Sequence, residues 1–293
     1  MMSHPVDFSL SGFDGWSIAG RRWDTARAPR AVIQIAHGMG EHIGRYAEAA
    51  CALAERGFAV VGADHRGHGM AITPSSPMGD FGSGGFGSVV SDMRDVTRYC
   101  RAEFPDVPII LLGHSMGSFA AQLYVLEDAS LLAGLILSGS GALDQLAAAL
   151  VMAKAPLDET LNATFAPVRT PFDWLSRDTA TIDAFIADPL CFPELTEASA
   201  RSVMENGETL ADPQRLSAIP PDLPIFLISG SLDPIGQQGV GVERLATRYR
   251  EAGLKAVDVK LYANARHEIF NEINRREVFD DVIDWLGHLP EST

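Results

Sequence analysis

Six short apolar runs recur from Ala31 onward, namely AVIQIA, FAVVGAD, PIILLGH, AGLILSGS, PIFLISG and AVDVKLY, separated mostly by stretches with helical periodicity. Strands that alternate with helices imply a parallel sheet, and helices on both of its faces would bury such runs. The periodicity predicts helices over 46–56, 89–103, 115–126, 240–252 and 276–286, with ERG and EAG as C-terminal stops for two of them. Ahead of this alternation, VDFSLSG and WSIAGRRW flank an Asp14-Gly15 turn signal and read as a β-hairpin.

One interval breaks the pattern. Residues 141–223 carry several short helical patterns and many prolines but no good strand, which predicts a cap inserted between two pieces of core, 1–140 and 224–293. The 293 residues suit one wide sheet with such an insertion. The apolar start of the cap, LDQLAAALVMAKAPL, has two readings: packing against the core, or facing a substrate or making transient contact with a lipid surface. The Gly-rich GDFGSGGFGS (79–88) reads as a flexible loop, since it lacks the Lys-Ser/Thr of a phosphate-binding loop.

A formal net charge of −15, with no local cluster of Lys or Arg, argues against nucleic acid as a partner. Cys51, Cys100 and Cys191 are odd in number and widely spaced, fitting neither a disulfide framework nor a zinc knuckle. The first residues show no basic start followed by an apolar run, and the longest apolar stretch, LAAALVMA, is far shorter than the roughly 20 residues of a spanning helix. A cytoplasmic protein is the expectation, of a size in chains that the sequence leaves open.

Chemistry concentrates at Gly113-His114-Ser115-Met116-Gly117, a G-x-S-x-G between an apolar strand and a helix. That setting projects a serine from a strained turn, and the flanking glycines keep strand and helix from clashing. A nucleophilic serine needs a base and an acid to orient it. Downstream of the cap lie His267 and His288; His267 follows the last strand run, where a loop at the sheet's carboxyl edge belongs, while His288 falls in the terminal helix. Asp233 follows PIFLISG and projects from the same edge, whereas Asp222 precedes that strand, Asp258 lies inside the last one, and Glu268 adjoins the base. Backbone amides of Met116 and of Met39, in the loop after AVIQIA, would receive an oxyanion, with Gly38 and Gly40 allowing close approach. This chemistry calls for no metal or organic cofactor. A rival reading gathers His37, His42, Asp64, His65 and His68 as a hydrolytic metal cluster; it leaves Ser115, Asp233 and His267 unexplained.

Together these blocks resemble the α/β-hydrolase family, in particular its monoacylglycerol lipase and lysophospholipase-like branch of serine aminopeptidase S33-type hydrolases. HGMGEHIGRY is similar to that branch's oxyanion loop, and ADHRGHG, GHSMG, SGSLDPIG and YANARHEIFNE follow in order. The resemblance implies an α/β-hydrolase fold and ester hydrolysis of a lipid or other small-molecule ester through an acyl-enzyme. It also implies that Glu41 and Arg45 shape a polar end receiving glycerol, although each could equally make a structural ion pair. Ala71 and Phe270 depart from the pattern, standing where a serine and, in some lipases, a second histidine occur. Acyl transfer or peptidase action on the same site, and a receptor that binds without turnover, are the alternatives.

Overall fold

The computed structural model describes residues 4–74, 76–192 and 194–289. Eight strands form one sheet: β1 (Val6–Ser11), β2 (Ser17–Trp23), β3 (Ala31–Ala36), β4 (Phe58–Ala63), β5 (Ile109–His114), β6 (Gly134–Ser138), β7 (Ile225–Gly230) and β8 (Val257–Tyr262). Their order is β1-β2-β4-β3-β5-β6-β7-β8, with β1 and β2 antiparallel and the remaining six parallel. The N-terminal hairpin pairs Val6 with Arg22 through Ser11 with Ser17, and Gly15 in its turn takes a φ of 82°.

The described chain also holds four short 3-10 turns and eleven α-helices: α1 (Ala47–Glu55), α2 (Gly85–Glu103), α3 (Met116–Asp128), α4 (Leu143–Ala153), α5 (Leu157–Asn162), α6 (Thr179–Ala187), α7 (Glu197–Met204), α8 (Gly207–Ala211), α9 (Pro213–Leu216), α10 (Val240–Glu251) and α11 (Arg275–Gly287). The central strands β3 to β7 are buried at every position and mostly apolar because both faces are covered. Ile109 and Leu111 of β5 enter the core shared with α2, α3 and α10, while Ile110 and Leu112 enter the one shared with α1 and α11. That alternation is the two-residue period of a strand read from inside. Strand β8, at the sheet edge, instead leaves Asp258 exposed and Lys260 half-buried; charge there discourages edge pairing.

The stretch 79–88 differs from the loop expected. It is loop only as far as Gly84, and its last residues are the first turn of α2. The reason is burial: Phe81 and Phe86 insert their rings into the core, and their backbone amides donate to the hydroxyls of Ser199 and Ser202 on α7. The first turn of this glycine-rich helix start is thus satisfied at Phe86 by Ser202 from another element rather than by a local side-chain cap, while Ser199 holds the loop before it.

Between β6 and β7 lie α4 to α9 and, among the described residues, no strand, so the fold is an α/β-hydrolase sheet with an inserted helical cap region. The apolar start of the cap divides its residues. Leu143 and Leu146 of α4 are buried against the core, whereas Val151 and Met152 are 77% and 79% exposed. Among the described residues no helix is long and apolar enough to cross a membrane.

Candidate active site

The sheet order reverses direction between β3 and β5, and the loops leaving their carboxyl ends open a crevice there, the usual ligand position in an open parallel sheet. Ser115 stands at that point, with φ 52° and ψ −120°. Its amide donates to Ser138 O (2.9 Å), and its carbonyl accepts from the amides of Ser118 (2.8 Å) and Phe119 (3.2 Å). These contacts hold a backbone conformation that a side-chain-bearing residue rarely adopts. A Cβ on Gly113 would lie 2.5 Å from Gly117 O, and one on Gly117 would lie 2.2 Å from Ala36 O. The glycines therefore allow α3 to start directly against the ends of β3 and β5.

His267 and Asp233 come from the loops after β8 and β7. Gly230 makes their approach feasible, since a Cβ there would meet Arg266 O at 2.1 Å. His267 Nδ1 and Asp233 Oδ1 are 2.9 Å apart, and Asp233 also accepts from Ile235 N (2.9 Å) and Ser229 Oγ (2.8 Å). Both side chains are buried. Burial alone would push Asp233 up, but the His267 contact and these donors hold its carboxyl below the usual range. Burial likewise works against a charged His267, yet Asp233, Glu268 and Glu41 outweigh it and raise the imidazole. With Nδ1–H directed at Asp233, Nε2 is the free acceptor. The ring packs between Trp174, at 4.9 Å between ring centres, and His114, at 4.7 Å. His114 is neutral, its pKa pushed by burial to about 3.

Ser115, His267, Met39 and Met116 all line one cavity of about 140 Å³, together with cap residues that include Leu146, Leu150, Leu157 and Trp174. Met116 opens α3, where first-turn amides have no partner within the helix. Met39 lies in the loop after β3, between Gly38, whose amide donates to Glu41 Oε1 (2.6 Å), and Gly40. Gly40 has φ 69°, and its carbonyl accepts from Phe192 N (3.0 Å), so this loop is fastened to the cap.

Glu41 lines the cavity and Arg45 stands behind it. The Arg45 guanidinium donates to Glu41 Oε2 (2.9 Å) and, in a fork, to both oxygens of Glu268 (2.6 and 2.7 Å). Glu41 Oε1 also accepts from the Tyr46 hydroxyl at 2.7 Å. Burial raises Glu41; Glu268, equally buried, is held low by Arg45. The ion pair left open as one reading of Glu41 and Arg45 is thus present, with Glu268 as its third member.

Four of the five residues of the rival metal reading pack together, His37 lying 4.2 Å from His65 and 5.3 Å from His68 between ring centres and 3.9 Å from an Asp64 oxygen, but each is hydrogen-bonded to backbone groups rather than set as a ligand. His65 N donates to His37 Nε2 (2.9 Å), His68 Nδ1 contacts Arg66 O (2.8 Å), and Asp64 accepts from the amides of Ile43 and Met70. Burial keeps His65 and His68 neutral, with pKa values of about 3 and 4. Among the described residues, His42 alone of the five joins a group with metal-ligand spacing, alongside Asp188 and Cys191. Of the other histidine and acids weighed, His288 caps the end of α11, Asp222 pairs with Lys255 before β7, and Asp258 accepts from Trp285 Nε1, all away from Ser115.

Sequence reasoning did not find Glu268 as a cavity residue, nor Trp174 against His267. Glu268 adjoins a histidine that needs an acid, which was a usable signal; Trp174 belongs to a cap segment without periodicity, and no signal marks it.

Fold and site define a serine-hydrolase-type α/β-hydrolase. Residues 27–274 match the family model described as serine aminopeptidase, S33, and the chain belongs to that family. It is 30% identical over 291 residues to a monoacylglycerol lipase of Mycolicibacterium smegmatis, covering 97% of this chain and 98% of that one. It is also 30% identical to the monoglyceride lipase of Mus musculus, covering 95% and 89%. Among solved structures, a thermostable carboxyl esterase from Bacillus coagulans in complex with glycerol superposes with a TM-score of 0.89 at 27% identity, covering 99% of each chain.

Proposed function

We propose that this protein hydrolyses carboxylic esters, with monoacylglycerol or lysophospholipid-like lipid esters as its substrates, through an acyl-enzyme on Ser115. The observation that carries the reading is the buried Asp233–His267 pair opening onto the same apolar cavity as the strained Ser115. Asp233 fixes the His267 tautomer, so Nε2 takes the Ser115 proton as Oγ bonds to the ester carbonyl carbon. The carbonyl oxygen becomes an oxyanion facing the amides of Met39 and Met116. The ester C–O bond then breaks, His267 returns the proton to the leaving alcohol, and water repeats the sequence to free the acid and Ser115. The core pieces 1–140 and 224–293 carry this machinery, and the cap 141–223 supplies the wall for the acyl chain. Relatives named as monoacylglycerol and monoglyceride lipases, together with the leucines of the cap wall, favour a fatty acyl group. The exposed Val151 and Met152 give the cap a place to touch a lipid surface.

The test is fatty-acid release from a monoacylglycerol, a lysophospholipid, a diacylglycerol and short aryl esters by the wild type and by Ser115→Ala. Turnover of at least one of the first two that vanishes in the variant is expected. Aryl-ester turnover alone would keep the mechanism and discard the lipid substrates; activity surviving in Ser115→Ala would sink the mechanism. The acidic cavity wall and the aminopeptidase family name favour one second reading, cleavage of a peptide whose ammonium meets Glu41 and Glu268. Aminoacyl anilides turned over as fast as esters would establish it.

A further inference from the structure

The charged groups on the cavity wall are of one sign. Apart from His114 and His267, the ionisable residues lining it among those described are Glu41 and Glu268; no Lys or Arg lines it. Arg45 could have supplied a cation, but its fork is closed on Glu268 and its remaining contact goes to Glu41. Its guanidinium also lies over the Phe185 ring, 5.0 Å from the centroid. The three groups sum to −1 with both carboxyls ionised and to zero if Glu41 takes a proton; with Glu268 ionised in the Arg45 fork the sum is not positive. Mobile ions screen such a buried group poorly.

The proposed chemistry decides which half of the ester meets these carboxylates, since Glu268 lines the same cavity as His267. The leaving oxygen must reach His267 to receive its proton, and Glu268 is the next residue on that loop. The side chains of Leu146, Leu150, Leu157 and Leu161, which also line the cavity, carry no polar atom and suit the acyl chain. The alcohol half of the substrate therefore meets carboxylates.

We propose that Glu268 is a specificity-determining charge filter: by occupying Arg45 it leaves the alcohol end of the cavity without a usable cation, so that esters of neutral or cationic alcohols are accepted and those whose alcohol carries a phosphate or carboxylate are rejected. The inference rests on the ester-hydrolase reading and divides its two lipid classes: a neutral glycerol fits this end, and a glycerol bearing phosphate does not. A phosphate brought against Glu41 and Glu268 would lose its water and gain like charges. The −15 net charge of the chain acts in the same direction at longer range.

The test uses one acyl chain on three isosteric alcohols ending in a tert-butyl, a trimethylammonium or a dimethylcarboxylate group. For the wild type, kcat/KM for the carboxylate ester is expected to be at least about tenfold below that of the neutral ester, with the cationic ester equal to or above it. Glu268→Gln should narrow the carboxylate penalty at least about threefold. Reading the ratio of two esters cancels any change the variant makes in His267. Equal turnover of all three by the wild type would overturn the filter and leave the hydrolase reading standing. An unchanged ratio in a folded Glu268→Gln would overturn the role of Glu268. If Glu268→Gln fails to fold, the wild-type series decides alone. Failure to hydrolyse any of the three would sink the hydrolase reading, and the filter with it.

Discussion

His267 is the residue on which the proposed chemistry turns, and its surroundings fix a sign. Asp233, Glu268 and Glu41 raise its pKa against the effect of burial, while the neutral His114 packs on its ring and Arg45 lies behind the two glutamates. The imidazolium is thereby favoured, but general-base action needs the neutral ring. The acid limb of kcat/KM is accordingly expected above pH 6.5, the ordinary value for histidine, and Glu268→Gln should move it to lower pH. A limb at or below 6.5 in the wild type would contradict the assignment. Stability runs the other way. A pKa raised on folding contributes stability that is complete below the unfolded value and is lost as pH rises through the folded one. Denaturant midpoints of Ser115→Ala should thus fall across the window in which the wild type gains activity. Asp233→Asn should lower kcat by about 10⁴ with little change in KM, because an amide no longer selects the Nδ1–H tautomer; a loss under tenfold would show another group orienting the ring.

At the scale of elements, the fold depends on close approach, and glycines show where. Gly117 opens the first turn of α3 with no space for a Cβ before the Ala36 and His37 carbonyls, whereas Gly87, exposed in α2, has nothing within 4 Å of such an atom. Gly117→Ala should cost more than about 2 kcal/mol and most of the activity, since the obstacle is backbone that cannot rotate away. Gly87→Ala should stabilise by about 0.5–1 kcal/mol with activity unchanged. Urea unfolding of both variants checks the pair, and equal effects would sink the argument. The same contrast explains what the sequence reveals. Strands β3 to β7 were legible because each is largely apolar on both faces; the positions of Ser115 and Asp233 were legible because each follows such a run at the sheet's carboxyl edge, and that of His267 because it follows the last strand, β8. The start of α2 at Gly85 was not, because its stabilising partners, Ser199 and Ser202, lie more than a hundred residues away. Glu268 was not legible as a cavity residue, because adjacency to His267 does not say which way its side chain turns; the cavity lining and the fork from Arg45 do.

Across the whole molecule, the cap is held unevenly. One part, around Trp174 to Arg177, is tied into the His267 loop: Glu268 N donates to Leu175 O at 2.7 Å, the Arg266 guanidinium reaches the Asp173 and Ser176 carbonyls, and Arg177 Nε contacts both oxygens of the fully buried Glu272 at 3.0 Å. The other part, α4 and α5, buries only Leu143, Leu146, Leu161 and Asn162 and is joined to α10 by the partly exposed Asp144–Arg248 pair. A segment with few buried side chains and a partly exposed ion pair opens at low free energy. Hydrogen exchange should therefore be fast over 147–160 and slow over 174–177 and 266–273, so that access to Ser115 opens on the α4 side while the His267 loop keeps its geometry. A slowly hydrolysed long-chain ester analogue that fills the wall of Leu146, Leu150 and Leu157 should slow exchange in α4 and α5 and leave the His267 loop unchanged. Uniform exchange across the cap would mean that it moves as one lid. It would then carry Trp174 off His267 at each opening, and a turnover that waits for both to return would show the same rate limit for short and long acyl chains.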